Sequence, residues 1–481
     1  MSFNSVQFLI FFPLVFLVLI ILPKKIRKYW LLATSYYFYM CWSVKYSLIL
    51  IFVTLLTYLS GLFIHRSQNP KIRKTICTGC IILNISLLFV FKYFNFCVKN
   101  INQLTGFTIN ALTLLLPLGI SFFIFQGLGY VIDVYRQKYD ARTNFIEYAL
   151  FISFFPTLLS GPIERGNHIL PQIEGLESKS LLDGTQILNG LILMGWGLVQ
   201  KIVISDRLSL VVDTIFDNYK EYGFLPIVFA TVMFAIQLYC DFDGYSNIAR
   251  GAAQIIGIDL VVNFRQPYLA TSVIDFWKRW HISLTSWFRD YLYIPLGGNR
   301  RGLIRKYLNI LIVFLISGLW HGAEWSFVFW GLLHGTMQIA SLLKERISSK
   351  FQNSKTHLTF SARLAKTFGT FCLVDIAWFF FRAPNINTAF NIIKHSVTRT
   401  GDFSMITSQL DISNWRILFI GLFILLIIDI LHEKGVSIRE LLLSQQIWFR
   451  YLIYLLLLVS CVYLGVNTVG GNAHSFIYFQ F

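Results

Sequence analysis

Charged residues are scarce in this sequence: they make up 14% of its 481 residues, whereas hydrophobic residues make up 56%. A soluble globular chain has about 25% charged and about 45–50% apolar residues, so the composition excludes a disordered protein and most soluble enzymes. Cysteine is scarce as well, and seven scattered cysteines exclude a disulfide-stabilised miniprotein. Apolar segments recur from end to end. We therefore predict an all-α polytopic membrane protein with a single transmembrane domain over residues 1–481.

Several motifs of soluble enzymes are missing. The chain has no P-loop, no GxSxG elbow, no HExxH and no GxGxxG, so phosphoryl transfer, serine-triad hydrolysis and zinc proteolysis have no support in the sequence. Cys77 and Cys80 form one CxxC beside an apolar run, without a second pair or a nearby histidine. We therefore predict neither a metal site nor a bound cofactor.

Acidic residues are outnumbered by basic ones, 24 against 41, which gives a net charge of +17. Such an excess on a soluble protein would suggest a nucleic-acid partner. Here Lys and Arg gather in short loops, as in the cytoplasmic loops of membrane proteins, so we predict none. The loops predicted to lie inside hold Lys24, Lys25, Arg27, Lys28, Arg66, Lys71, Arg73, Lys74, Arg136, Lys138 and Arg142. The intervening outside loops hold only Lys45, Lys92 and Lys99.

The order of charges at the N-terminus predicts the orientation. The first apolar run, FLIFFPLVFLVLIIL, has no charge before it and KKIRK after it. A signal peptide has its positive charges first, so we place the N-terminus outside the cell membrane. The tail, residues 467–481, also lacks Lys, Arg, Asp and Glu. We therefore predict extracytoplasmic termini and an even number of spans, about ten to twelve.

The middle of the chain, from about 144 to 300, has shorter apolar stretches interrupted by Gly, Pro and charges. A membrane-spanning helix needs about 20 residues, and irregular backbone at membrane depth must be buried in protein or line a watery cavity. We therefore predict re-entrant and interfacial helices that build a site there. The interrupted stretches are FISFFPTLLSGPIERG, QLYCDFDGYSNIARG, NFRQPYLA and DFWKRWHISLTSWFRDYLYIPLGGNR.

His321 is the clearest catalytic candidate, because ionisable groups inside apolar segments are costly and often functional. It lies in SGLWHGAEWSFVFWGLLHG between Gly318 and Gly322, which permit the close approach of a ligand or of another backbone. A neutral imidazole can act as a general base near neutral pH. The residues alone leave open the alternative of a packing histidine bonded to a backbone carbonyl.

His281 is the second candidate. Its segment, DFWKRWHISLTSWFRDYLYIP, mixes aromatic and charged residues as an amphipathic or tilted interfacial helix does. His281 would orient a substrate or assist a base, or it is an interfacial histidine without such a role, which the residues alone favour.

Other polar residues are weaker candidates. Asp241 and Asp243 resemble a cation site, but DxDG lacks the later ligands of a calcium loop, so we expect hydrogen bonds to backbone or to Arg250. Glu164 and Arg165 are predicted to pair with each other. The weakest candidates are His334, Asp133 and Arg265.

These motifs resemble those of the membrane-bound O-acyltransferase (MBOAT) superfamily, in its bacterial branch with alginate O-acetyltransferases and teichoic-acid D-alanyltransferases. The likeness covers nearly the whole chain, and the block ending YIPLGGNR together with the WHG block is its most specific part. It also includes SFNSVQFLIFFPLVFLV, LPLGISFFIFQ, FPTLLSGPIERG, YCDFDGYSNIARG, NFRQPY and FFFRAPN.

The resemblance implies a fold and an activity. The fold is a bundle of transmembrane helices around a central tunnel. The activity is transfer of an acyl group, usually acetyl, from a cytoplasmic thioester such as acetyl-CoA to a hydroxyl of an extracytoplasmic polysaccharide. The family's essential histidine falls on His321, and its second histidine position falls on His281. The implied partners are an extracytoplasmic transferase that acylates the glycan, the polysaccharide acceptor and membrane lipid.

The tail ends in FIYFQF, which is similar to the aromatic C-terminal motif of a small single-span partner in the D-alanylation system. In that system a tyrosine is thought to carry the acyl group, which implies Tyr478 as a third catalytic candidate. A tyrosine hydroxyl has a pKa of about 10, so it would need a base such as His321. The alternative is an aromatic anchor at the membrane interface.

Two other functions compete with acyl transfer. The first is a polysaccharide or lipid transporter, because broken helices also build transport sites, although no inverted repeat is visible. The second is a scaffold that only recruits a secreted acetylase. Consumption of acetyl-CoA would separate an acyltransferase from a transporter, and silent His321 variants would indicate a scaffold.

Overall fold

The computed structural model of this chain describes residues 1–351, 359–399, 401, 404–465 and 476–477, with backbone only at 349–351 and 404–405. All regular elements of these residues are helices, which confirms the all-α prediction. Eight helices are long and apolar enough to cross a membrane, and three apolar helices are shorter. The eight are Val44–Arg66, Pro70–Thr105, Gly184–Asp217, Phe224–Ile256, Leu303–His321, Trp325–Ser348, Phe360–Arg382 and Ile412–Glu433. The shorter three are Val6–Ile21, Ile120–Tyr135 and Ile447–Tyr463.

The chain divides into two compact units. Unit 1 comprises Met1–Met194 and Tyr245–Val261, and unit 2 comprises Gly195–Gly244 and Val262–Phe481. The single domain predicted over 1–481 stays a prediction. Of the predicted tail, residues 467–481, only 476 and 477 are among the described residues.

Unit 1 contains the first nine α-helices, and a π-helical turn at Phe89–Tyr93 joins the fourth to the fifth. They are α1 (Val6–Ile21), α2 (Arg27–Met40), α3 (Val44–Arg66), α4 (Pro70–Leu88), α5 (Phe94–Thr105), α6 (Ile120–Tyr135), α7 (Phe145–Ser153), α8 (Phe155–Leu158) and α9 (Gly166–Glu174).

Unit 2 contains most of the remaining helices, and α10 and α12 contribute to both units. These helices are α10 (Gly184–Leu198), α11 (Asp206–Asp217), α12 (Phe224–Ile256), α13 (Val273–Arg279), α14 (Ile282–Phe288), α15 (Leu303–His321), α16 (Trp325–Phe351), α17 (Phe360–Arg382), α18 (Ile386–Val397), α19 (Ser404–Thr407), α20 (Ile412–Glu433), α21 (Ile438–Leu443) and α22 (Ile447–Tyr463). Two further π-helical turns, Val199–Ser205 and Arg289–Tyr293, follow α10 and α14.

Polar residues determine where many of these helices begin. The first backbone N–H groups of a helix lack partners inside it, and a side-chain oxygen just before the helix satisfies them. Asn69 precedes Pro70, a residue suited to the first helical position, and accepts from the Lys71 amide. Further capping side chains are Ser5, Asn144, Asp183, Ser272, Thr359, Asn385 and Asp411.

The basic loops predicted to share one side of the membrane meet in unit 1. Lys28 is 2.6 Å from Glu147, and Arg142 is 2.5 Å from the other oxygen of the same carboxylate. Arg73 donates to the Tyr135 carbonyl at 3.0 Å. Since these residues come from three separate loop regions, their contacts agree with the shared side that the charge distribution predicts.

The predictions for the middle segments are confirmed only in part. FISFFPTLLSGPIERG and NFRQPYLA are broken as expected, into short helices and irregular backbone. QLYCDFDGYSNIARG was wrongly predicted to be interrupted, because it lies inside the unbroken 33-residue helix α12. DFWKRWHISLTSWFRDYLYIP is interrupted as expected, because α13 ends at Arg279 and α14 begins at Ile282. It is therefore not the single amphipathic helix that its mixture of residues also predicted.

Candidate active site

His281 lies in the break between α13 and α14. Its backbone is left-handed, with φ of 43°, a conformation that residues other than glycine seldom adopt and that often marks a functional position. The side chain is fully buried within the protein, and its role in orienting a substrate or assisting a base stays a prediction. The next turn is held by Asn263, whose carbonyl accepts from the Ile282 amide at 2.9 Å.

His321 is the last residue of α15 and is 3% exposed. The two predicted glycines do bring another backbone close. A Cβ on Gly318 would lie 2.3 Å from the Phe327 carbonyl oxygen, and one on Gly322 would lie 2.1 Å from the Phe327 ring. The glycines therefore let α16 pack directly against the end of α15 that carries His321.

The two candidate histidines contact the same indole. The ring centroid of Trp320 is 4.9 Å from that of His321 and 6.1 Å from that of His281. His321 also packs edge-on against Trp330 at 4.9 Å and lies 5.4 Å from Phe381. The structure thus places the two histidines 40 positions apart in sequence around one aromatic cluster in unit 2.

A third buried histidine, His334 on α16, continues this cluster. Its ring lies 4.8 Å from that of Trp330, and its Nδ1 accepts from the Trp277 indole N–H at 3.3 Å. The donor fixes the tautomer, because a nitrogen that accepts carries no proton. His334 therefore lies between Trp277, which donates to it, and Trp330, which contacts His321.

A cavity of about 430 Å³ lies beside Trp277 in unit 2. Trp277, Phe288 and Phe314 form apolar walls. Three basic side chains, Lys278, Arg289 and Lys306, also line it. Such a combination suits an elongated ligand with an apolar portion and an anionic head.

A buried ionic cluster occupies another part of unit 2. Lys201, on the π-helical turn after α10, is 2.7 Å from Asp241 and 2.9 Å from Asp206. Gln200 donates to Asp243 at 2.8 Å. The prediction that Asp241 bonds to backbone is confirmed, since it accepts from the Ile477 amide at 2.8 Å, but its partner Lys201 was not predicted.

The remaining predicted residues have ordinary partners. In unit 1, Glu164 accepts from the Val261 amide at 2.7 Å and bonds to His168 at 2.7 Å. Asp133 pairs with Lys138 at 2.9 Å. In unit 2, the Arg265 amide donates to the Arg279 carbonyl. Tyr478 lies outside the described residues.

Sequence reasoning missed two residues, Lys201 and His168. The signal for Lys201 was present, because GLVQKIVIS places one lysine in an apolar run.

The described residues contain no group of three His, Cys, Asp or Glu side chains that could hold a metal ion.

Comparison with known proteins identifies the family of this chain. The family model for MBOAT, the membrane-bound O-acyltransferase family, matches residues 140–374, which include all three buried histidines. The peptidoglycan O-acetyltransferase of Helicobacter pylori is 35% identical over 429 residues, covering 83% of this chain and 80% of that protein. The probable alginate O-acetylase AlgI of Azotobacter vinelandii is 35% identical over 403 residues, covering 82% and 77%.

A more distant relative is the teichoic acid D-alanyltransferase of Bacillus subtilis, 25% identical over 242 residues, which covers 49% of this chain and 61% of that protein. The resemblance predicted from the motifs is confirmed by these matches. The eight long apolar helices agree with a multi-pass membrane protein. This chain is therefore an O-acyltransferase and belongs to the membrane-bound O-acyltransferase family.

Proposed function

We propose that this protein takes an acetyl group from acetyl-CoA on the cytoplasmic side of the cell membrane and passes it across for O-acetylation of an extracytoplasmic polysaccharide. Relatives named for peptidoglycan and alginate support a glycan acceptor. The observation that carries the proposal is the buried His321, whose neighbour Trp330 lies 5.9 Å from Trp277 in the wall of the basic cavity.

His321 is the general base in this proposal. It removes the proton of the accepting hydroxyl while the hydroxyl oxygen attacks the thioester carbonyl carbon. The carbon–sulfur bond then breaks, the new ester forms, and the leaving thiolate takes the proton that His321 removed. Burial of His321 supports this role, since excluding water limits hydrolysis of the thioester. His281, on the other side of Trp320, orients the reacting groups.

The cavity beside Trp277 is the proposed donor site. Its basic residues, Lys278, Arg289 and Lys306, attract the phosphates of the donor, and its aromatic walls accommodate the uncharged arm that carries the thioester. The π-helical turn Arg289–Tyr293 supports a binding role, because such wide turns often occur at functional sites. Acetyl-CoA is a substrate here rather than a resident cofactor.

The acceptor of the acetyl group is either Tyr478 or a group of a partner protein. The described neighbours of Tyr478 support the first choice, because Phe476 packs 5.7 Å from Phe242, whose ring lies 4.6 Å from His281. An extracytoplasmic transferase then moves the acetyl group to the glycan. Both chain termini are extracytoplasmic in this proposal, and membrane lipid surrounds the spans.

His321→Ala tests the proposed function. We expect a fall of at least about a hundredfold in acetyl transfer, as is usual when a general base is removed. Purified protein in proteoliposomes is supplied with radiolabelled acetyl-CoA, and both thiol release and acetylated product are measured. His65→Ala, at an exposed histidine of unit 1, is the control and retains activity.

Wild-type transfer by His321→Ala at equal protein amounts would contradict the role of His321 as the general base. A transporter or a scaffold would leave acetyl-CoA unconsumed in the wild-type sample.

A further inference from the structure

The described end of the chain is held by the buried ionic cluster of unit 2. Asp241 is fully buried, and Lys201 is 2% exposed. The two carboxylate oxygens of Asp241 have different partners: Oδ1 lies 2.7 Å from the Lys201 ammonium, and Oδ2 accepts from the Ile477 amide at 2.8 Å. A single side chain therefore joins a core lysine to the C-terminal backbone.

This contact is specific to the backbone and is strengthened by charge. A hydrogen bond to an ionised carboxylate is shorter and stronger than one between neutral groups. At a fully buried oxygen, no water replaces a lost donor, so the carboxylate would stay partly unsatisfied. The side chains of Phe476 and Ile477 are also buried, at 2% and 7% exposure.

The sequence around Lys201 is adapted to this arrangement. The π-helical turn Val199–Ser205 displaces Lys201 from regular helical geometry. Gly244, in the DFDG segment of α12, lies against this turn: a Cβ there would be 2.7 Å from the Gly197 carbonyl oxygen and 3.2 Å from the Lys201 amide. The glycine thus permits the close approach that puts Asp241 and Lys201 in contact.

The anchored segment is next to the candidate histidines. Asp241 precedes Phe242, whose ring packs on both Phe476 and His281. His281 in turn contacts Trp320, which contacts His321. A displacement of residues 476 and 477 therefore changes the packing of Phe242, which itself contacts His281.

We propose that Lys201 and Asp241 are positioning residues that anchor the C-terminal segment beside His281 through the Ile477 amide. Lys201 fixes the carboxylate, and the carboxylate fixes the backbone immediately before the terminal aromatic residues. The role of the anchored segment in acetyl transfer rests on the proposed function. The contact that anchors the segment does not, and it is tested separately.

The test compares Ile477→Pro with Ile477→Val in the full-length protein. Proline removes the amide hydrogen that Asp241 accepts, whereas valine keeps it and retains a β-branched apolar side chain. Ile477 lies outside the helices α1 to α22, so both variants should fold. Benzoylphenylalanine at position 476 serves as a photo-cross-linker, and peptide mapping measures its yield on the segment around Phe242 and His281.

We expect Ile477→Pro to lower the cross-link yield by about tenfold or more, and Ile477→Val to stay within about twofold of the parent. In transfer assays, Ile477→Pro should lower kcat and leave the KM for acetyl-CoA unchanged, because the donor cavity is untouched. Equal cross-linking by the two variants would overturn the inference, as would a rise in KM without a change in kcat.

His321→Ala separates the two proposals. It should abolish transfer while the cross-link yield stays at the parent value. An active His321→Ala variant combined with a lost cross-link in Ile477→Pro would overturn the proposed function and support the anchor.

Discussion

At the scale of single residues, buried ionisable side chains of this protein contact partners that lie far away in sequence. Lys201 meets Asp241 across 40 positions, and Glu164 bonds to the Val261 amide across 97. The rule that a charge inside an apolar run is functional or paired selected His321 and would also have selected Lys201. Neither hydropathy nor periodicity names the partner, because the pairing depends on which helices pack together.

The backbone conformation of His281 could not be predicted from the sequence either. Its segment has a helical mixture of aromatic and charged residues, yet the chain breaks at Trp280 and His281 adopts positive φ. That break is imposed by tertiary contacts, including the bond from the Ile282 amide to Asn263. The sequence selected His281 as a candidate, but it did not predict the conformation that buries it.

His168 provides a prediction about pH. Its Nδ1 is 2.7 Å from Glu164, and this hydrogen bond raises the pKa of His168 above its usual value of about 6.5. A raised folded-state pKa gives stability that is complete below the unfolded pKa and is lost as the pH rises through the folded value. We therefore expect wild type to be more stable than His168→Gln by a larger margin at about pH 6 than at about pH 9.

Unfolding of both proteins in detergent across this pH range measures that margin. Glu164→Gln should remove the same pH dependence, because it removes the charge that stabilises the imidazolium. A margin that is constant or grows with pH would show that the contact does not titrate.

At the scale of helices, close approach depends on glycines at particular positions. Gly318 on α15 faces the Phe327 carbonyl of α16, and the pair carries His321 and His334. Sequence reasoning predicted that the glycines flanking His321 allow a ligand or a backbone to approach, and the structure shows a backbone. It could not choose between them, because the choice depends on how α16 returns along α15.

Gly318→Ala tests this packing. The added Cβ would lie 2.3 Å from a carbonyl oxygen, so α15 and α16 must separate, and we expect a loss of about 1–3 kcal/mol in stability. Gly369→Ala is the matched control in a membrane-spanning helix, because a Cβ there meets nothing within 4 Å and alanine is the better helix former. Thermal unfolding in detergent compares the two, and equal midpoints would contradict the packing argument.

At the scale of the whole molecule, the contacts among basic loops agree with the shared side that their charges predict. The prediction of where helices are interrupted was partly wrong. The contacts among Lys28, Glu147 and Arg142 in unit 1 join predicted inside loops. In unit 2, Arg363 of α17 binds Glu433, the last residue of α20, at 2.6 Å. The interrupted appearance of α12 was misleading because Asp241 and Asp243 have partners in a neighbouring helical segment.

The absolute orientation of these loops can be measured with inserted protease sites. A site after Met1 should be cleaved from outside in intact spheroplasts, because uncharged termini favour the outer side. A site between Ser67 and Gln68, next to the basic loop that contains Arg66 and Lys71, should be cleaved only after the cells are permeabilised. The reverse pattern would invert the predicted topology.

The length of α12 has a consequence for a partner protein that takes the acetyl group. At about 1.5 Å per residue, its 33 residues extend about 50 Å, well beyond a hydrocarbon layer of about 30 Å. Asp241 is more than about 20 Å from either end of this helix, so the Ile477 amide that it binds is held beside the middle of the helix. A transferase that takes the acetyl group beside residue 477 would therefore have to reach the middle of α12 and not only one of its ends.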